Sequence, residues 1–191
     1  DEILLLANDI WKTGTFPGLL SAATVIPAQK PKKPSDDPKS YRPIALTSHL
    51  AKLLERLVVN RLQYYLEENQ ILSPLQRGFR PLRSTTDVLA RLTAQIQGGF
   101  HSPPPHGRTL ALLLDLSAAF DRVSHAVLLE TFRDLQLPPA FARFYSAFLA
   151  GRTFKVRVGN TLSRSCTQQS GVPQGTVSGP VLFVIYTEAL L

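Results

Sequence analysis

The chain has 191 residues, 44% of them apolar, which is enough for one sizeable core and leaves room for one domain plus part of another. Its formal charge is +7, divided as +4 over residues 1–100 and +3 over 101–191, which favours a polyanionic partner and excludes a confined basic tail. The single cysteine, Cys166, excludes an internal disulfide and a cysteine-rich zinc site, and no apolar run reaches membrane-spanning length, so no membrane partner is expected.

Taken in chain order, residues 1–13 predict a helix stopped at Gly14. Residues 22–27 predict a strand and 41–46 a return strand, with Pro43 suited to an edge. Between them, residues 28–40 hold Lys30, Lys32, Lys33 and Lys39 in an exposed basic loop. Residues 48–68 give the clearest helix. Leu50, Leu53, Leu54, Leu57, Val58, Leu62, Tyr65 and Leu66 recur at i, i+3, i+4, and Asn69 ends the pattern. Residues 74–83 form a basic turn with Arg77, Arg80 and Arg83, and Ser84 or Thr85 caps a helix over roughly 86–97. Residues 98–107, with Gly98, Gly99 and Pro103 to Pro105, predict a loop. Ser124 caps a helix through Leu135, and another runs from Pro138 to Ala150. Residues 154–158 alternate as a strand, followed by a Gly159-Asn160 hairpin turn. Pro180 starts a helix after the Gly-rich stretch 171–179. Interleaved helices and strands make this a mixed α/β (α+β) chain. Cys166 is expected to be a small reduced thiol in the core.

Two stretches carry chemistry. Residues 109–116 form an almost wholly apolar run ending near Asp115, which predicts a strand buried on both faces. A carboxylate taken out of water needs compensation. Asp115 is therefore either an anchor for a divalent cation or a cap on the following turn. Asp121, six residues on, is expected to support the loop by hydrogen bonds. The second stretch is Ser-Gly-Val-Pro-Gln-Gly-Thr-Val-Ser-Gly-Pro at 170–180. Gly171, Gly175 and Gly179 allow backbone to approach a ligand, and Gln174 offers donors and an acceptor.

These strings resemble the reverse transcriptases of non-LTR (LINE-type) retrotransposons. The resemblance runs through Val-Ile-Pro-Ala-Gln-Lys-Pro at 25–31, Tyr-Arg-Pro-Ile-Ala-Leu at 41–46, Lys-Leu-Leu-Glu-Arg-Leu at 52–57 and Gln-Arg-Gly-Phe-Arg at 76–80. It continues with Ser-Thr-Thr-Asp at 84–87, Leu-Asp-Leu-Ser-Ala-Ala-Phe-Asp at 114–121 and Ser-Gly-Val-Pro-Gln-Gly at 170–175. It implies a right-hand polymerase fold, with fingers and the N-terminal helix and basic hairpin over 1–108, and a partial palm over 109–191. The implied activity is RNA-directed DNA synthesis from a primer 3′-OH with dNTPs and two Mg²⁺ ions. Asp115 matches the first metal-binding aspartate, with the main-chain carbonyl of Leu116 beside it. Phe120 matches the aromatic that excludes the ribose 2′-OH. Lys30 and Arg42 match fingers residues on the triphosphate, while Gln174 and Gly175 match the loop at the nucleotide and template. Arg80 and Arg83 resemble template- and primer-side residues. The expected partners are an RNA template, a DNA primer and dNTPs. The expected setting is intracellular, a ribonucleoprotein of nucleus and cytoplasm.

One departure stands out. The family carries an aromatic-Ala-Asp-Asp motif beyond the Gly-Val-Pro-Gln-Gly loop, whereas no aspartate follows Asp134 in these 191 residues. The chain is accordingly expected to be part of a longer polypeptide and inactive by itself. The alternative is a decayed element whose product only binds nucleic acid.

Overall fold

The computed structural model describes residues 2–103 and 107–188. The first helix, α1 (Glu2–Thr13), ends at Gly14 with φ +70°, and a single turn, α2 (Gly18–Ser21), leads into the sheet. Strands β1 (Ala22–Gln29) and β2 (Tyr41–Thr47) form the expected antiparallel pair, in register from Ala23 opposite Thr47 to Gln29 opposite Tyr41. The ladder continues one step further, where the Lys30 N–H donates to the Ser40 carbonyl at 2.7 Å. Asp37 accepts from the Lys39 N–H at 2.9 Å and the Tyr41 hydroxyl donates to the Ser35 carbonyl at 2.8 Å, so local bonds shape the basic tip.

Strand β3 (Thr153–Val158) joins β1 in parallel, from Ala22 opposite Thr153 to Val25 opposite Val156. The Gly159-Asn160 turn returns the chain as β4 (Thr161–Leu162), and β5 (Cys166–Thr167) pairs with the start of β3. The order is β2-β1-β3-β4, which leaves β2 at an edge. That edge explains the prolines. The Ala45 N–H points outward, so Val25–Ala45 and, two residues along, Pro27–Pro43 are positions that exchange no hydrogen bonds. Neither proline nitrogen is asked to donate across the pair. Pairing with β3 has already ended at Val25, so Pro27 meets no ladder on its other side.

Helices α3 (His49–Glu68), α5 (His125–Asp134), α6 (Pro139–Leu149) and α7 (Gly179–Thr187) enclose the core. Phe132, Phe141, Phe144, Tyr145 and Phe148 are its buried aromatic centre, and α1 lays Trp11 edge-on against Phe141 at 5.3 Å. Such ring pairs each contribute about 0.5–1.5 kcal/mol beyond area burial. The fourth helix, α4 (Thr85–Phe100), opens with a reciprocal capping box between Ser84 and Asp87 and buries no residue. It takes in Gly98 and Gly99, which the sequence assigned to a loop. Interior glycine weakens a helix by about 1 kcal/mol and does not forbid it. Pro104 and Pro105 of that loop lie outside the described residues.

Three expectations are corrected here. The buried face of α3 is rolled: Ala51, Glu55 and Val59 are buried while Leu53 and Leu57 are exposed. An i, i+3, i+4 pattern this broad permits two adjacent faces, and packing into the shared core selects the one that brings Glu55 to the Ser178 N–H. Cys166 is half-buried on the short edge strand β5, with Sγ 3.8 Å from the Arg164 carbonyl, rather than in the core. Residues 109–116 are not a buried strand. No described strand pairs with them, and Leu110, Leu112, Leu113 and Leu114 are 82–96% exposed. A strand apolar on both faces needs a hydrogen-bonding neighbour and a covering layer. Composition reports what such a segment would bury, and the described residues supply neither partner.

Candidate functional site

The Gly-Val-Pro-Gln-Gly loop docks on two parts of the fold. Its first half lies along residues 120–123. The Gly171 N–H donates to the Val123 carbonyl at 2.8 Å and the Val172 N–H to the Phe120 carbonyl at 2.9 Å. Gly171 has φ +79°, and a Cβ there would stand 2.7 Å from the Asp121 carbonyl oxygen. Only glycine permits that approach. Nε2 of His125 and the side-chain amide of Gln168 meet the Gly171 carbonyl at 2.8 and 3.1 Å.

The second half closes the open edge of β2. The Ala45 N–H donates to the Gln174 carbonyl at 2.6 Å. Gly175, at φ +113°, lies so close to the Ala45 carbonyl oxygen that a Cβ would come within 2.6 Å of it. The loop thus bridges the strand that bears Arg42 and the turn that bears Phe120 and Asp121.

Residues singled out in two distant parts of the sequence meet here. Phe120, Gln174 and Gly175 line one cavity of about 170 Å³, together with Thr176 and Pro180. Phe183 at 5.0 Å and Phe79 at 6.2 Å hold the Phe120 ring. The Gln174 amide donates to both Asp121 carboxylate oxygens at 3.3 Å. A second hollow of about 260 Å³ adjoins it, floored by Val25, Pro43 and Ala45 and rimmed by Asp121, Gln168 and Gln174.

The other named residues are distributed differently. Lys30 and Arg42 lie on one face of the β1–β2 pair, opposite to the face of Pro43 and Ala45. Nζ of Lys30 donates to the Lys39 carbonyl at 2.8 Å, while Arg42 is exposed. Asp115 and Leu116 sit on the exposed segment, and Asp115 makes no hydrogen bond or ion pair among the described residues. Its carboxylate is therefore not consumed as a turn cap.

Arg80 turns inward, with Nε and Nη2 forked onto Glu67 at 2.8 and 2.7 Å and Nη1 donating to the Ser73 and Gln76 carbonyls. The planar guanidinium that suits phosphate also suits a carboxylate flanked by turn carbonyls. Here it staples residues 67–80, and hydrogen bonding to Arg80 holds the Glu67 carboxyl below its usual range. Arg83, beside it, stays exposed.

Sequence reasoning missed a buried polar cluster behind the loop. Glu55 on α3 is fully buried, and its Oε2 accepts the Ser178 N–H at 2.8 Å, immediately before α7. Arg152, 1% exposed, donates to the Phe148 carbonyl at 3.1 Å and lies over the Phe148 ring at 4.6 Å. Burial pushes the Glu55 carboxyl up, opposed by the Ser178 hydrogen bond and by Arg152. Burial also pushes Arg152 down and the Tyr145 hydroxyl up. A glutamate within a helix of apolar periodicity was the available signal.

Among the described residues no group of three or more His, Cys, Asp or Glu gathers. Magnesium keeps several waters and takes one or two carboxylates plus substrate phosphates. Asp115 fits one such anchor and falls short of a complete site. No described helix is long and apolar enough to cross a membrane.

The reverse transcriptase (RNA-dependent DNA polymerase) family matches residues 30–191, and the chain belongs to it. It is 38% identical over 188 residues to the probable RNA-directed DNA polymerase from transposon BS of Drosophila melanogaster, covering 98% of this chain and 20% of that protein. It is 35% identical over 185 residues to the RNA-directed DNA polymerase from mobile element jockey of Drosophila funebris, covering 97% of this chain and 20% of that protein. Identity to the Pol polyprotein of the type-1 retrotransposable element R2 of Popillia japonica is 27% over 157 residues, 82% of this chain and 21% of that protein. The chain thus spans about a fifth of the length of the curated relatives it matches.

Proposed function

We propose that this chain supplies the fingers, residues 1–108, and the N-terminal palm, residues 109–191, of an RNA-directed DNA polymerase of a non-LTR retrotransposon. The parent enzyme extends a DNA primer 3′-OH on an RNA template with dNTPs. One observation carries the reading: Phe120 lines a single cavity with the adjacent pair Gln174 and Gly175, from which the sequence separates it widely.

The residues divide the work by chemistry. A ring held by Phe79 and Phe183 is a firm wall, and a firm wall excludes the 2′-OH that distinguishes rNTP from dNTP. Gly175 lets backbone approach the nucleotide, and Gln174 can exchange its Asp121 contact for the incoming base or sugar. Lys30 and Arg42 share a sheet face and present charge to the triphosphate. Asp115 and the Leu116 carbonyl would hold magnesium, completed by triphosphate oxygens and further acids. Two ions, when bound, neutralise charge where the attacking oxygen, phosphorus and leaving oxygen meet. The same reading places the parent in an intracellular ribonucleoprotein of nucleus and cytoplasm.

The test is sugar discrimination. In a polymerase that carries this chain, Phe120→Ala should raise rNTP incorporation relative to dNTP by at least tenfold, an expected gain of about 1.4 kcal/mol for the ribonucleotide. Unchanged discrimination with full dNTP incorporation would remove Phe120 from the nucleotide site.

A further inference from the structure

Glu55 breaks the pattern of its helix. The other buried residues of α3, from Ala51 to Leu66, are apolar. Glu55 is fully buried as well, and only its Oε2 has a partner, the Ser178 N–H at 2.8 Å. Its Oε1 makes no hydrogen bond among the described residues. A carboxylate is expensive to bury, and an apolar side chain of that volume would fill the place without that cost. What the carboxylate adds is a fixed acceptor for one backbone N–H. A core rule broken in this way points to a function.

Ser178 is the far end of the loop that forms the site. Residues 174–178 are held at both ends by one continuous piece of chain, β2 running into α3. At the near end the Ala45 N–H donates to the Gln174 carbonyl at 2.6 Å. At the far end Glu55 takes the Ser178 N–H. Between them Thr176 Oγ1 makes only a local bond, to the Pro173 carbonyl at 2.9 Å. The wall opposite Phe120, made by residues 173–176 with Gly179 and Pro180, flanks these two anchors. Ser178 also starts α7: its carbonyl accepts the Leu182 N–H at 3.0 Å, and the next residue, Phe183, lies 5.0 Å from the Phe120 ring. The Ser178 hydroxyl does not cap that helix and has no hydrogen-bond partner among the described residues, so Glu55 is the side chain that fixes this turn.

We infer that Glu55 is a positioning residue for the nucleotide site: through the Ser178 N–H it sets the 174–178 loop and the start of α7 against Phe120. Glu55 touches no nucleotide and acts only through Ser178. The inference rests on the polymerase reading of Phe120, Gln174 and Gly175, and adds a residue that does not line their cavity.

The test is primer extension by a polymerase that carries this chain, with kcat and the dNTP KM referred to the active fraction counted in a single turnover. Glu55→Asp keeps the charge and withdraws the carboxylate by about 1.5 Å, one carbon–carbon step. Glu55→Gln removes the charge and keeps the acceptor. Misplacing a positioned group by about 1 Å costs up to about 100-fold. Glu55→Asp and Glu55→Ala should each raise the dNTP KM about tenfold, while Glu55→Gln should stay within about twofold of wild type. Ile10→Ala, a core truncation on α1, should lower the active fraction and leave the KM of the remaining enzyme unchanged. A wild-type KM in Glu55→Asp and Glu55→Ala, whatever their active fraction, would make Glu55 merely structural and overturn the inference. A KM raised as much by Glu55→Gln would assign the effect to lost charge beside Arg152, and one raised as much by Ile10→Ala to general loosening; either would overturn it. Failure of the polymerase reading shows elsewhere: Phe120→Ala would then leave sugar discrimination unchanged, whereas it would still act if this inference alone failed.

Discussion

Removing Glu55 should be far more damaging than its place on a surface-spanning helix suggests. The carboxylate is fully buried, receives the Ser178 N–H at 2.8 Å and offsets the buried Arg152 guanidinium. Glu55→Ala leaves the buried Ser178 N–H without its acceptor, and orphaning a buried donor costs about 1–3 kcal/mol. Glu55→Gln keeps an acceptor for Ser178 and removes a charge that burial disfavours, so it should cost less than Glu55→Ala. Urea unfolding should show both losses as a lower midpoint with unchanged m. pH supplies a second readout. Burial raises the folded pKa of Glu55 above its ordinary 4.5, so its contribution is fully present below 4.5 and is lost as pH rises through the raised value. Glu55→Gln should abolish that component of the pH dependence. A Glu55→Ala midpoint within experimental error of wild type would refute the reasoning, as would an unchanged pH profile in Glu55→Gln.

Gly171→Ala should destabilise by about 2 kcal/mol or more, because left-handed backbone costs an alanine about 1–2 kcal/mol and the new Cβ meets the Asp121 backbone at 2.7–2.9 Å. Thermal melting checks it, and a loss below 0.5 kcal/mol would contradict the docking of the loop, about the scatter of ordinary surface changes. Arg80→Ala should cost about 1.5–3 kcal/mol at neutral pH by cutting the fork to Glu67. Arg80 depresses the Glu67 pKa, so this stabilisation exists above 4.5 and is lost as pH falls through the lowered value. The gap between wild type and Arg80→Ala should therefore narrow on acidification, and a constant gap would refute the assignment.

What the sequence disclosed, and what it hid, follows from the range of the forces involved. The β1–β2 hairpin, the Gly159-Asn160 turn, the Ser84 and Ser124 caps and the start of α7 at Pro180 all depend on neighbours a few residues away, and each forms where local chemistry places it. The meeting of Phe120 with Gln174 was implied only by resemblance, because it rests on long-range backbone bonds from residues 171–172 to 120–123. The Glu55–Arg152 cluster was hidden for a related reason: charged residues far apart in sequence give no sign of being buried together. The pairing of Arg80 with Glu67 was hidden because a guanidinium answers any planar anion and the sequence does not say which one is near. The apolar run before Asp115 was recognised as strand-like, but exposure is decided by partners, and the described residues supply none.

The central claim is that Asp115 anchors the metal of nucleotide addition. The direct measurement is magnesium-dependent primer extension on an RNA template by a polymerase carrying this chain, comparing wild type with Asp115→Ala and Asp115→Asn. Both variants should lose at least 1,000-fold in rate, about 4 kcal/mol of transition-state stabilisation, while binding template as well as wild type. Extension by Asp115→Asn at the wild-type rate would contradict the account.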